Sequence, residues 1–253
     1  MNALVRAELL KLRTTRMLRW LVLATLLLVV VTIAANVSAA DADDPALALH
    51  DPALLGQVIG ISFGIPQVLM TVLGALAFTQ EVRYGSITST FLVEPRRSRI
   101  LLAKAVALVL VGVVIAAATL FVTVALGMVL ISAKDGNVTI GVQFWQVVVA
   151  VVAAMALYGL FGLALGALLR DQIVAVIATL VWLGPAEHLL IDVLPEIGRW
   201  TPGGATFGLL QLGPAIATHG TLLGAPVGGL LLLGYTAAVN GLAFSVAPRR
   251  DVI

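Results

Sequence analysis

The chemistry-bearing residues of this chain are few, and most lie beside long apolar runs. Gly60-Ile61-Ser62-Phe63-Gly64 matches the G-x-S-x-G pattern of serine hydrolases. That pattern presents a nucleophile only on a strand–turn–helix elbow with a base and an acid beside it. Here it falls inside an uncharged run, where Gly60 and Gly64 serve more simply as a small-xxx-small helix-packing face. Gly162/Gly166 and Gly224/Gly228 repeat that spacing. His188 and Asp192 stand four residues apart with Glu187 adjacent. On a helix this spacing binds a metal or relays a proton; the favoured alternative is a satisfied polar cap. The chain has no cysteine and therefore no disulfide or thiolate metal site. It also has no Gly-Lys pair. The phosphate-cradling G-x-x-x-x-G-K-[ST] loop is thus absent, and ATP hydrolysis by that route is excluded.

The richest polar segment is 81–104. Glu81, Arg83, Gly85 and Ser86 open it, and Pro95, Arg96, Arg97, Ser98, Arg99 and Lys104 close it. The residues between predict a short helix over 86–93 anchored by Ile87, Phe91 and Leu92 and stopped by Pro95. Two readings fit such an element. It docks into a groove on a partner, or it is a basic loop held by anionic headgroups.

The elements that position these groups follow from the uncharged stretches 20–40, 52–80, 105–133 and 136–169. About 20 apolar residues of helix cross about 30 Å of hydrocarbon. The chain is 60% hydrophobic and 11% charged, against roughly 25% charged for a soluble domain. These features predict an all-α polytopic membrane protein forming a single transmembrane domain over 1–253, with no separate soluble catalytic domain. Spans are expected at 18–37, 55–79, 105–131, 144–169, 172–190 and 227–247. The segment 1–16 reads as an amphipathic interfacial helix. In that reading Leu4, Val5, Leu9, Leu10 and Leu12 enter the membrane, and Arg6, Lys11, Arg13 and Arg16 meet headgroups. It is too charged for a cleavable signal.

Basic residues set the orientation. Arg6, Lys11, Arg13, Arg16 and Arg19 precede the first span. Arg83, Arg96, Arg97, Arg99 and Lys104 lie between the second and third. Arg170, Arg249 and Arg250 fall on the same side, leaving only Lys134 and Arg199 opposite. The positive-inside rule then makes both termini and the 81–104 loop cytoplasmic. The fifth span is anomalous: 15 uncharged residues separate Asp171 from Glu187, too few to cross, and Gly184-Pro185 should break them. The region 187–226 is apolar but interrupted by Pro195, Pro202, Pro214 and Pro226. It predicts short re-entrant or interfacial helices at the outer leaflet.

Three segments together resemble the permease subunit of a type-2 ATP-binding-cassette (ABC) exporter. They are the start Ala7-Glu8-Leu9-Leu10-Lys11-Leu12-Arg13-Thr14-Thr15-Arg16, the loop pattern Glu81-x-x-x-Gly85-Ser86 followed by Pro95, Ser98-Arg99 and Lys104, and the six spans with a broken outer segment. The resemblance implies that the 81–104 loop holds a coupling helix that docks on a separate nucleotide-binding ATPase subunit. Glu81, Gly85, Ser86, Phe91, Pro95 and Arg99 would serve that contact. It also implies a dimer of permease chains, homo- or heteromeric, in a bacterial inner or plasma membrane. ATP and Mg would sit on the partner, with no cofactor, metal or nucleic acid on this chain.

No histidine or carboxylate falls mid-span elsewhere, which argues against a proton-driven secondary transporter. A pathway through this chain would be lined by uncharged polar and aromatic groups. Candidates are Gln57, Ser62, Gln67 and Thr71 in the second span, Thr179 and Trp182 in the fifth, and Tyr235, Thr236 and Asn240 in the sixth, with Gln67 and Asn240 foremost. Each of these equally suits a hydrogen bond across a helix interface. An uncharged path suits a lipid, drug or peptide cargo. The competing functional classes are a non-transporting membrane scaffold and, less favoured, a membrane hydrolase.

Overall fold

The structure is a computed structural model and describes residues 1–40, 48–85, 97–212 and 222–246. Among them there is no strand, and six helical segments are long and apolar enough to span a membrane. The protein is an all-α, multi-pass membrane protein.

Helix α1 (Asn2–Thr14) ends where Thr15 adopts extended backbone (φ −71°, ψ 124°), and the chain turns into α2 (Arg16–Ala39), the first span. The second span departs from the single helix expected over 55–79. It runs over Leu54–Arg83 as α3 (Leu54–Ser62) and α4 (Gly64–Arg83), the hydrogen-bond ladder being interrupted at Phe63 while the backbone there stays right-handed helical (φ −71°, ψ −22°). Pro66 explains the break. It has no N–H for the Ser62 carbonyl and its ring crowds that group. The Phe63 amide bonds to the Gly60 carbonyl, three residues back, at 3.2 Å, so the last turn of α3 is tightened. The third span, α5 (Arg97–Ala133), begins earlier than expected. No proline falls between Pro95 and Ala133, so Arg99 and Lys104 lie on helix rather than in a loop.

The fourth span is α6 (Val142–Leu169). The fifth opens with α7 (Gln172–Val181), whose N-cap Asp171 accepts the Ile173 and Val174 amides at 2.8 and 2.9 Å, the usual remedy for orphan helix donors. It then widens into a π-type turn, Trp182–Ala186, where Gly184 leaves helical geometry (φ −87°, ψ −106°) beside Pro185. This is the break the Gly-Pro pair predicts. Beyond it lie α8 (Glu187–Val193), α9 (Pro195–Gly198) and α10 (Pro202–Leu209). Pro195 and Pro202 sit in the first turns of the last two, where a missing N–H costs nothing. The sixth span is α11 (Ala225–Val246).

The second and fourth spans form the core: 67% and 61% of their most apolar windows are buried, against 22% for the first, fifth and sixth. Helix α6 packs on α4, α5 and α11. Small residues make the α4–α6 contact possible. A Cβ at Gly162 would fall 2.0 Å from the Thr71 carbonyl oxygen, and one at Gly166 2.4 Å from that of Ala75. The 162/166 spacing is therefore a genuine packing face. The 60/64 spacing is not. Gly60 meets only the Leu212 side chain, and Gly64 faces open space. At the opposite end of the bundle from α1, Lys134 donates to the Ser38 and Ala40 carbonyls at 2.7 and 2.9 Å. It caps the last turn of α2 and ties it to α5.

Candidate functional site

The site begins where α4 ends. Gly85, at φ +67°, takes the left-handed conformation that stops a helix, and its amide bonds to the Val82 carbonyl. Glycine reaches this geometry without the penalty a Cβ brings. One turn earlier, Glu81 points inward. Across from it, on α5, stands Lys104, whose side chain is 2% exposed.

Lys104 is fully satisfied. Its ammonium donates to Glu81 Oε1 at 2.8 Å, Glu8 Oε2 at 2.7 Å and the Ala77 carbonyl at 3.1 Å, which uses all three donors of the group. Lys11 closes the figure, donating to Glu8 Oε1 at 2.7 Å and Glu81 Oε1 at 2.8 Å. Two carboxylates and two ammoniums thus form a neutral, interlocked quartet on α1, α4 and α5. Burial alone would push the Lys11 ammonium down; the hydrogen bonds and charges of Glu8 and Glu81 outweigh it and hold it above its ordinary 10.5. A buried network of this kind fixes geometry strongly, because losing one member strands a charge in low dielectric.

This arrangement corrects the reading of α1. Lys11 faces carboxylates rather than headgroups, and buried Glu8 lies on the inner face of the helix. Sequence reasoning assigned Glu8 no role, yet a signal was available. It is the only carboxylate among the first 40 residues, in a segment otherwise basic and apolar.

The other expected coupling residues are distributed as follows. Glu81 and Gly85 are placed as above, and Arg99 is exposed on the first turns of α5. Ser86, Phe91, Pro95 and the expected helix over 86–93 lie outside the described residues. Of the expected pathway residues, Gln67 and Thr71 are buried between helices; the Thr71 hydroxyl bonds to the Gln67 carbonyl at 2.8 Å. The Gln67 and Gln57 amide oxygens have no partner among the described residues. Asn240 donates across a helix interface to the Leu160 carbonyl at 3.1 Å. Tyr235 donates to the Trp200 carbonyl at 2.9 Å, and Trp182 is half-exposed on the outside of the bundle. Of these residues, Gln67 and Thr71 are the pair joined directly by a hydrogen bond among the described residues.

Ser62 closes helix α3, with its hydroxyl unpartnered among the described residues. It lacks the strand–turn–helix elbow that its motif requires. The cluster of Glu187, His188 and Asp192 also separates. Glu187 is buried and accepts the Gly203 amide at 2.8 Å, at the N-terminus of α10, where the helix dipole favours a carboxylate. The His188 ring bonds to the Gly184 carbonyl through Nδ1, and Asp192 is exposed. No group of three metal-ligating side chains comes together among the described residues.

The ends of the 81–104 loop are therefore pinned to each other and to α1. With that geometry established, a family comparison decides the class: the family model described as ABC-2 family transporter protein matches residues 4–184. The chain belongs to the ABC-2 transporter family. The match covers well over half the chain and includes most of α1, the quartet and the second span. No curated protein matches the chain. As an ABC-2 protein it is the membrane permease component of an ABC transporter, and the Glu8–Lys11–Glu81–Lys104 quartet lies at the base of the segment between its second and third spans.

Proposed function

We propose that this ABC-2 permease chain forms half of a translocation pathway for a hydrophobic or amphipathic cargo, as an exporter driven by a separate ATPase subunit. In this reading both termini and the 81–104 segment face the cytoplasm, the ATPase binds Mg-ATP, and it engages the permease through that segment. The supporting observation is the quartet. Because Glu81 and Lys104 frame the segment and both bond to α1, force applied there is delivered to α4, α5 and α1 together. The α4–α6 backbone contact then passes it to the bundle core.

A second permease chain, identical or related, completes the pathway. Its cargo would meet uncharged surfaces, since the charges of this chain gather at the membrane boundaries. The test is co-expression with candidate ATPase subunits. Co-purification, followed by cargo-stimulated ATP hydrolysis that Glu81→Gln uncouples, supports the proposal. Stable membrane insertion without any ATPase-dependent transport would assign a scaffold role instead.

A further inference from the structure

Two grooves meet on the outer surface of α1, α2 and α5. One, of about 440 Å³, is walled by Leu18 and Val22 on one side and Val114 and Ala118 on the other, with Arg13 at its mouth. The second, of about 730 Å³, shares Arg13, Leu18 and Val22 and adds Arg19. The walls are apolar and the mouth is cationic.

The two arginines differ from the basic residues nearby. Lys11 and Lys104 are neutralised by Glu8 and Glu81. Arg13 and Arg19 are exposed and make no ion pair or side-chain hydrogen bond among the described residues. Trp20, 70% exposed, follows directly, and such indoles settle at headgroup depth. Measured along α5 from Lys104, the wall from Leu110 to Ala118 lies about 9 to 21 Å further on at 1.5 Å per residue. That distance carries the groove from the headgroup level into the hydrocarbon of one leaflet.

We propose that this groove is a binding site for one anionic phospholipid. Its phosphate sits on Arg13 and Arg19, and one acyl chain lies between Leu18, Val22, Val114 and Ala118. Guanidinium pairs bind phosphate in bidentate fashion. A headgroup that adds its own cation would place it against two uncompensated positive charges, so net negative charge is selected. The lipid would bridge the Thr15 turn to α5, one helical turn from Lys11, and so set how firmly α1 lies against the quartet. The site requires only that the chain spans a membrane and is independent of cargo and ATPase.

Native mass spectrometry of the full chain, released from nanodiscs holding phosphatidylglycerol and phosphatidylcholine in equal amounts, tests this. One phosphatidylglycerol should be retained preferentially. Arg13→Gln and Arg19→Gln should each weaken that preference about fivefold, near the worth of one basic residue at a membrane surface. Arg6→Gln with Arg16→Gln, exposed arginines that do not line the grooves, should leave it unchanged. Ala118→Trp, which fills the groove without altering charge, should lower retention of both lipids. Equal retention of the two lipids by the unmodified chain would overturn the proposal. So would equal losses from the two arginine pairs, which would mean diffuse surface attraction, or a second copy of the chain in place of lipid.

Discussion

Lys104 Nζ lies 2.7 Å from Glu8 Oε2, although 96 positions separate them in the chain. This contact joins the amino-terminal helix to the third span and makes the ends of the 81–104 segment one mechanical unit.

Replacing Lys104 by Met should leave the Glu8 and Glu81 carboxylates facing each other with only the half-exposed Lys11 shared between them. Removing one partner from a buried ion cluster costs about 3–5 kcal/mol, so the thermal midpoint of the purified chain should fall clearly. Combining Lys104→Met with Glu8→Gln and Glu81→Gln removes the stranded charges and should recover most of that loss. Thermal unfolding of the single and triple variants checks this ordering, and a triple variant no more stable than the single would refute it.

Lys11 gives a pH signature. Its folded value is raised above 10.5, so its stabilising contribution is fully present below that pH and is lost as the pH climbs through the raised value. Lys11 is half-exposed, so solvent screening keeps the effect small. The chain lacks cysteine, so a single dye attached at Ala3→Cys reports α1 alone. Its anisotropy should drop slightly on the alkaline side of about pH 10.5, and Lys11→Gln should abolish that step.

Gly162 touches the backbone of the neighbouring helix, and backbone cannot rotate away as a side chain can. Gly162→Ala should separate α4 from α6 and cost at least the 1–3 kcal/mol typical of overpacking. Gly64→Ala, where no atom lies within 4 Å of the added group, should change stability by well under 1 kcal/mol. Paired melting curves in one detergent make the comparison.

At the opposite end of the bundle, a Cβ at Gly203 would fall 2.5 Å from Glu187 Oε2. Gly203→Ala should therefore displace the carboxylate from the start of α10 and lower the melting temperature. Glu187→Gln, which keeps an acceptor for the Gly203 amide, should be milder. If the two variants melted alike, the capping role of Glu187 would be wrong.

Much of the fold was legible in the sequence because hydrocarbon imposes a coarse rule. Uncharged length reports spans, and the Gly184-Pro185 pair and the prolines at 195 and 202 mark real breaks. The break at Phe63 was missed. A proline inside an apolar run leaves that run long enough to cross, and hydropathy does not register a lost hydrogen bond. At the site, Glu81 and Lys104 were legible as a pattern, but their pairing with Glu8 and Lys11 was not. It arises from how α1 folds back on α5, a contact between residues far apart in the chain. Polar groups such as Asn240 were ambiguous for the same reason, since an amide in an apolar helix needs a partner whether or not it faces a pathway.

Pro66 leaves the second crossing with a knuckle, an unmade rung in an otherwise continuous helix, rather than uniformly stiff. The half nearer the quartet is keyed into α6 by Gly162 and Gly166, while the far half lies more lightly against α6 at Val147 and also rests on α2 and α5. A tug on the near half flexes the crossing first at that knuckle, and α6, which runs unbroken past it, carries the remainder to the far half.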